Sequence, residues 1–153
     1  MLELIMKIQW KLKYFNELST EELYSILQLR SEIFVVEQNS SYQDLDGKDF
    51  KCYHFMGYTG KDLVAYTRLL PKGVSYAEAS IGRVVTSRSV RGGGVGRELM
   101  KLSIIEIERL FGNVPIRIGA QLYLQKFYEG FGFRREGEPY NEDNIPHIIM
   151  LRN

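Results

Sequence analysis

Glycine residues cluster behind an arginine in the middle of the chain, over residues 91–96. An apolar stretch at 81–86 precedes the cluster, and a stretch with apolar residues at helical spacing, 95–111, follows it. Glycines at a strand-to-helix turn let the backbone approach a ligand closely, and the first amide groups of the helix have no partner inside it. The pattern predicts an anion site suited to a pyrophosphate group.

Two common phosphate-binding motifs do not fit this cluster. A nucleotide P-loop requires G-x-x-x-x-G-K-[ST], and a dinucleotide-binding loop requires G-x-G-x-x-G. Arg97 stands where the P-loop requires its second glycine, and Arg97 or Leu99 stands where the dinucleotide loop requires its third. The pattern that remains is R-x-x-G-x-G, formed by Arg91, Gly94 and Gly96. The alternative is a glycine-rich surface turn that binds nothing.

Helix and strand signals place the cluster inside a mixed α/β fold. Ser19 with Glu22 three residues later forms the capping box of a helix start. The predicted helices cover residues 19–38, 95–111 and 121–129, and the predicted strands cover or begin at 7–13, 52–58, 63–70, 81–86, 115–118, 131–133 and 145–151. The resulting order is β-α-β-β-β-α-β-α-β-β.

The composition is that of an ordinary globular domain. The 153 residues are 44% hydrophobic and 25% charged, which predicts a single domain, 1–153, with a sizeable core. A formal net charge of +1 favours neither a nucleic-acid surface nor a membrane surface. A single cysteine fits a reducing compartment, so a cytoplasmic location is expected. The first six residues do not resemble a signal peptide, and no apolar run approaches the roughly 20 residues that span a bilayer.

The chain resembles the GNAT superfamily of N-acetyltransferases. Its R-x-x-G-x-G pattern is similar to the coenzyme A pyrophosphate loop of that family, and Phe127-Tyr128 followed by G-F at 132–133 continues the family pattern. Gln121 stands where the family usually has asparagine, seven residues before the tyrosine. Segments that resemble the ElaA subfamily are Leu29-Arg30, I-F-V-V-E-Q at 33–38, Asp44-x-Asp46, Tyr66-x-Arg68-Leu69, I-G-R-V-V at 81–85, Ala120-Gln121 and E-D-N-I-P-H at 142–147.

This resemblance implies a GNAT-like fold, with a mixed, mostly antiparallel central sheet flanked by helices. It also implies an enzyme that passes an acetyl group from acetyl-CoA directly to a primary amine, without a metal. The residues that it assigns to coenzyme binding are Val84, Val85, Thr86, Arg91, Gly92, Gly93, Gly94, Val95, Gly96, Gln121, Phe127 and Tyr128. The amide of Val85 is the candidate for stabilising the oxyanion.

Acetyl transfer also needs a proton donor for the leaving thiolate and a proton acceptor for the amine. Tyr128 is the candidate general acid, and the alternative for it is an aromatic core residue. The position of His54 in a strand is equally compatible with a buried structural histidine. The acidic turn before the last strand is equally compatible with a solvated, capped turn. The candidate bases are Glu37, His54, Glu142, Asp143 and His147.

Three arginines, Arg30, Arg68 and Arg83, lie within apolar stretches of the sequence. Buried charges are usually paired, so we expect each of the three to form a structural ion pair, the alternative for each being a direct role in the substrate site. Glu37 is an acid that could pair with Arg83.

An aspartate-rich segment, 39–50, lies between the first helix and the hairpin. It carries Asp44, Asp46 and Asp49 but lacks the spacing and the closing glutamate of a calcium loop. We therefore expect a solvated loop rather than a metal site. Cys52 follows this segment without an activating base nearby in the sequence, so it is expected to be inert rather than an acyl carrier.

Two other functions are compatible with parts of the pattern. A non-catalytic acyl-CoA-binding or regulatory module would keep the glycine cluster but lack a working proton relay. An RNA-binding protein would use the Arg-Gly-Gly run, but the run is single and the chain has no basic surplus. The amine acceptor, small molecule or protein, is not identified by the sequence, and the oligomeric state stays open, with a homodimer among the alternatives.

Overall fold

The computed structural model describes residues 2–153 of the chain. This part contains seven β-strands and four α-helices. The strands are β1 (Gln9–Tyr14), β2 (Tyr53–Thr59), β3 (Asp62–Leu70), β4 (Ser80–Thr86), β5 (Ile116–Gln121), β6 (Arg134–Glu142) and β7 (Ile145–Arg152). The helices are α1 (Leu2–Lys7), α2 (Thr20–Arg30), α3 (Val95–Phe111) and α4 (Gln125–Glu129). The predicted order of elements is confirmed, except that α1 precedes the first strand and was not predicted.

The strands form two antiparallel sheets rather than one continuous sheet. The first has the order β1-β2-β3-β4 and the second has the order β5-β7-β6. A single parallel bridge between Ala79 and Ile116 joins them, with the Arg117 amide donating to the Ala79 carbonyl at 2.9 Å. Beyond this bridge the described residues of β4 and β5 share no ladder, so the two sheets open like a V.

Helices cover both faces of the first sheet. Alternate side chains of β3 point to opposite faces, so β3 packs against a helix on each side. On one side the Thr67 hydroxyl lies 2.7 Å from the Ser103 hydroxyl of α3. On the other side Tyr66 packs in a second cluster with Ile26 and Leu29 of α2. The main core gathers buried apolar side chains of α3 with those of both sheets: Phe55, Val64, Leu69, Ile81, Leu99, Met100, Ile104, Ile107, Ile116, Ile118, Ile148 and Met150.

Helix α2 begins at the predicted capping box. The Ser19 hydroxyl accepts from the Glu22 amide at 3.0 Å, and the Glu22 carboxylate accepts from the Ser19 amide at 2.8 Å. The helix continues as a π-helical segment, Ser31–Glu37, which carries Glu37 and Gln38 to the opening between the sheets. Within residues 2–153, no helix combines the length and apolar character required to span a lipid bilayer.

Candidate active site

A cavity of about 480 Å³ occupies the opening between β4 and β5. One wall is β4 from Ile81 to Thr86, and the facing wall is β5 from Ile118 to Gln121. The π-helical segment, the start of α4 and the turn between β6 and β7 close the remaining sides. The cavity therefore lies where the two sheets separate, which is the place in this fold where backbone groups of a central strand can reach a ligand.

A β-bulge shapes the β4 wall. Tyr66 pairs with Val85 and Arg68 pairs with Gly82, so two residues of β4 lie opposite Thr67 alone. Arg83, the first of these two, has a positive φ of 50°. A bulge bends its strand and removes a residue from the ladder. It overlaps at Val84 with the stretch 84–86 that the family resemblance assigned to the coenzyme, and Val84, Val85 and Thr86 all line the cavity.

A short 3-10 turn follows β4. Residues 91–96, which we call the glycine loop, come after this turn and lead into α3. Gly92 and Gly94 have φ values of 79° and 77°, which residues with a side chain rarely adopt. A β-carbon on Gly93 would lie 2.8 Å from a methyl group of Leu4 in α1, whereas one on Gly96 would meet nothing within 4 Å. The glycine loop thus follows a backbone path that needs glycine, and it leaves open space beside Gly96.

The N-terminus of α3 supplies amide groups to this loop. Its first internal hydrogen bond runs from the Glu98 amide to the Gly94 carbonyl at 3.2 Å. The amides that precede Glu98 in α3 have no acceptor within the helix, and the helix dipole favours an anion beside them. These features fit a diphosphate group.

Glu37 binds two arginines at the N-terminal end of the glycine loop. Its carboxylate accepts from the Arg91 guanidinium at 2.7 Å and from the Arg88 guanidinium at 2.8 Å. The hydrogen bonds from Arg91 and then Arg88 lower the pKa of Glu37 to about 2. Arg91 and Glu37 both line the cavity, and a carboxylate with so low a pKa is a weak base.

Tyr128 reaches the cavity from α4 while remaining 6% exposed. Burial raises the pKa of its hydroxyl to about 12, so the group keeps its proton at neutral pH. Gln121 also lines the cavity, where its amide lies 3.4 Å from the Gln38 side chain. Phe127 instead packs edge-on against Phe131, with ring centroids 5.2 Å apart, and is not among the residues that line the cavity.

The structure brings four of the five candidate bases to the cavity, Glu37 among them, and leaves one in the core. Glu142, Asp143 and His147 line the cavity at the turn between β6 and β7. His54 is fully buried, with one ring nitrogen 2.7 Å from the Tyr66 hydroxyl and the other 3.0 Å from the carbonyl of the residue at 49. Burial lowers its pKa. Because both ring nitrogens have partners outside the cavity, His54 has no access to a substrate there.

The prediction of a solvated loop for segment 39–50 was wrong for two of its three aspartates, and the third, Asp46, is exposed. Asp44 and Asp49 are buried, and both bind Arg30, whose side chain is fully buried. The Asp44 carboxylate lies 2.8 Å from the guanidinium, and the Asp49 carboxylate lies 2.8 Å from it on another nitrogen. The ion pair expected for Arg30 is confirmed. The sequence contained a signal for this pairing, because the three aspartates of segment 39–50 match in number the three arginines that lie within apolar stretches.

Two further arginines complete the pattern. Arg68 contacts Asp46 at 2.8 Å and Asp49 at 3.0 Å, and Arg83 contacts Asp44 at 2.8 Å and Asp46 at 3.4 Å. The ion pairs expected for both are confirmed, although the partners of Arg83 are aspartates and not Glu37. Each arginine touches two aspartates and each aspartate two arginines. We call this closed set of Arg30, Asp44, Arg83, Asp46, Arg68 and Asp49 the aspartate–arginine ring.

The ring anchors the loop before β2 to the bulge of β4. Its aspartates bind guanidinium groups, and in residues 2–153 no group of three or more His, Cys, Asp or Glu side chains is placed to hold a metal ion. Cys52, beside the ring, is buried with its sulfur 3.1 Å from the Lys48 carbonyl, and burial raises the pKa of its thiol to about 11. Such a thiol is a poor nucleophile.

Comparison with known proteins gives a consistent family. Residues 18–152 match the family model described as an acetyltransferase (GNAT) domain. Protein ElaA of Escherichia coli is 43% identical over 147 residues, covering 95% of this chain and 96% of ElaA. A crystal structure of an acyl-CoA N-acyltransferase from Pseudomonas aeruginosa is 42% identical and superposes with a TM-score of 0.92, covering 95% of this chain and 99% of the other.

More distant structures share the fold. A GNAT family acetyltransferase from Elizabethkingia anophelis, solved with acetyl-CoA bound, has a TM-score of 0.66 at 15% identity, over 95% of this chain and 97% of the other. The chain belongs to the GNAT acetyltransferase superfamily and, within it, to the ElaA-like proteins.

Proposed function

We propose that this protein transfers the acetyl group of acetyl-CoA directly to a primary amine. The observation that carries the proposal is that one cavity is lined by Arg91 of the glycine loop, by the bulged strand β4 and by the protonated hydroxyl of Tyr128. Membership of the GNAT superfamily supports acyl transfer, and the related structure with bound acetyl-CoA supports the cosubstrate.

The residues assigned to the coenzyme fit its chemistry. The helix amides after Gly94 and the guanidinium of Arg91 would bind the diphosphate, and the open space beside Gly96 lets it approach the backbone. The pantetheine arm would lie along β4 at 84–86 and reach Gln121 on the facing strand. Phe127 would support this end from the core rather than by direct contact, since it does not line the cavity.

The reaction would proceed in a ternary complex. The neutral amine attacks the thioester carbonyl carbon, and the oxyanion that forms is stabilised by a backbone amide beside the bulge, for which Val85 is the candidate. The carbon–sulfur bond then breaks, and Tyr128 donates its proton to the departing thiolate. A buried tyrosine with a raised pKa suits this role because it remains protonated until a strong base forms next to it.

The release of free thiol tests the proposal directly. The protein is incubated with acetyl-CoA and a panel of primary amines, and we expect amine-dependent thiol release. Tyr128→Phe should lower kcat by about 10²–10⁴ and leave the acetyl-CoA Kd unchanged. Tyr24→Phe, on a 71% exposed side chain of α2 that is absent from the cavity lining, is the control and should retain activity. Acetyl-CoA binding without transfer to any amine would instead support the non-catalytic acyl-CoA-binding module.

The other expectations remain predictions. The cytoplasmic location follows from the single buried thiol, which needs no oxidising compartment. The acceptor is a small molecule or a protein, and a homodimer is compatible with the fold. Size-exclusion chromatography with light scattering measures the oligomeric state.

A further inference from the structure

The turn between β6 and β7 places a histidine beside two carboxylates in the cavity. His147 belongs to β7, where it pairs with Gln121 of β5 on one side and with Tyr140 of β6 on the other. Its side chain is 10% exposed, while the side chain of Glu142 is 61% exposed. His147 is therefore held inside the cavity wall, and Glu142 stands at its opening.

The hydrogen-bond partner of one ring nitrogen of His147 determines whether the other nitrogen can accept a proton. The Nδ1 atom of His147 lies 2.7 Å from the carbonyl oxygen of Ile145. A carbonyl oxygen only accepts hydrogen bonds, so Nδ1 carries the hydrogen and the neutral ring has its lone pair on Nε2. Nε2 lies 3.4 Å from the Glu142 carboxylate. The lone pair is directed towards the side of the ring where Glu142 would hold a cation.

Two of the other candidate bases, Glu37 and His54, have partners that weaken them. The carboxylate of Glu37 is bound by Arg88 and Arg91, and its pKa lies near 2. His54 lies in the core with both nitrogens occupied. Among the candidate bases in the described part of the chain, only His147 both lines the cavity and has a ring nitrogen whose lone pair accepts no hydrogen bond from the protein.

The charges around this turn favour a cationic acceptor. Glu142 and Asp143 are exposed and line the cavity, while the charge of Arg83 in the facing wall is balanced by Asp44 and Asp46. The hydroxyls of Tyr76 and Tyr140 lie near Gly119 of the β5 wall, where a β-carbon would be 2.9 Å from each, but neither tyrosine lines the cavity. These groups are hydrogen-bond acceptors or neutral, and they suit an ammonium group better than a carboxylate.

We propose that His147 takes the proton of a primary alkylammonium acceptor that Glu142 binds at the cavity opening. This inference rests on the proposed acetyl transfer. An N–H bond of the ammonium breaks and its proton moves to Nε2 of His147, leaving the neutral amine to attack the thioester. The carbon–nitrogen bond forms to give the tetrahedral oxyanion, and the carbon–sulfur bond then breaks as the thiolate takes the proton of Tyr128. The Tyr128 phenolate takes the second proton from the nitrogen that has become cationic, which leaves the neutral amide, and His147 later returns its proton to solvent.

A pair of acceptor amines tests the role of His147. One is an alkylamine, which is charged at neutral pH, and the other is methoxyamine, which is already neutral there. His147→Gln should lower kcat/KM by about 10²–10⁴ for the alkylamine and only severalfold for methoxyamine, because the second acceptor has no proton to lose before attack. Glu142→Gln should raise KM for the alkylamine about fivefold with kcat nearly unchanged, since an exposed ion pair is weak.

The control is Glu138→Gln, which changes a 90% exposed carboxylate of the same strand β6 that is absent from the cavity lining. It should leave both reactions unchanged. Acetyl-CoA titration by calorimetry shows whether His147→Gln is folded. Equal losses for the two amines, or no loss for either, would overturn the assignment of the base while leaving acetyl transfer established. Failure of the unmodified protein to acetylate any amine would overturn the proposed function itself.

Discussion

Replacing Gly96 by alanine separates the folding of the glycine loop from its binding of coenzyme. Gly96 is the second residue of α3, its φ is not positive, and a β-carbon there would meet no atom within 4 Å. The protein alone therefore has no steric reason to require glycine at this position. A ligand that lies against the backbone does have one.

The two effects of this change should have opposite signs. Alanine is favoured over glycine in a helix by about 0.5–1 kcal/mol, so Gly96→Ala should raise the free energy of unfolding by up to that amount. In a domain of this size, this corresponds to a rise in Tm of about 1–4 °C. The new methyl group would occupy the approach of the diphosphate, and a loss of about 1.4 kcal/mol in binding would raise the acetyl-CoA Kd tenfold.

Thermal unfolding followed by circular dichroism and acetyl-CoA titration by calorimetry measure the two effects. The control is Gly60→Ala in the turn between β2 and β3, where φ is 60° and no atom lies within 4 Å of the added carbon. It should cost about 1–2 kcal/mol of stability, because an alanine adopts this conformation poorly, and leave the Kd unchanged. An unaltered Kd in Gly96→Ala would refute the placement of the diphosphate beside α3.

Two further predictions concern the charged groups. Glu37→Gln frees Arg88 and Arg91 for the phosphates and should lower KM for acetyl-CoA about two- to fivefold; a fall of kcat by a hundredfold would instead identify Glu37 as the base. Burial alone would raise the pKa of Asp49, but its hydrogen bonds and charge pairs with Arg30 and Arg68 lower it overall. Its contribution is thus complete above the ordinary pKa near 4 and is lost as the pH falls below that value towards the lower folded-state pKa. Urea unfolding between pH 7 and pH 3 should show this loss, and Asp49→Asn should cost about 3–5 kcal/mol at pH 7 with a flatter acid dependence.

Local sequence patterns predicted much of the fold because they depend on neighbouring residues. The capping box at Ser19, the hairpin turn near Gly60 and the glycine loop each need only a few residues, and each lies where it was predicted. Helix α1 was missed because six residues are too few to form a stable helix alone. It depends on tertiary packing, including the contact of Leu4 with Gly93, which sequence spacing does not report.

The candidate site was predictable in its types of residue but not in its pairings. The cavity lining includes Arg91, Tyr128 and His147 as expected, since motifs place them at strand and helix ends. The pairing of Glu37 with Arg91 spans 54 positions and that of Arg83 with Asp44 spans 39, and no local pattern encodes such distances. The polarity of the aspartate segment indicated a solvated loop because each acid was considered without its distant partner.

The aspartate–arginine ring limits how this protein can change over evolution. Neutralising any one member would leave two neighbours of like charge with one ion-pair partner each instead of two, and no single replacement elsewhere restores the balance. Viable descendants must keep the six positions as a unit or exchange opposite charges together. An aligned set of ElaA-like sequences should therefore show these positions either invariant or substituted jointly, with the acid of one segment disappearing only where its basic counterpart has gone as well.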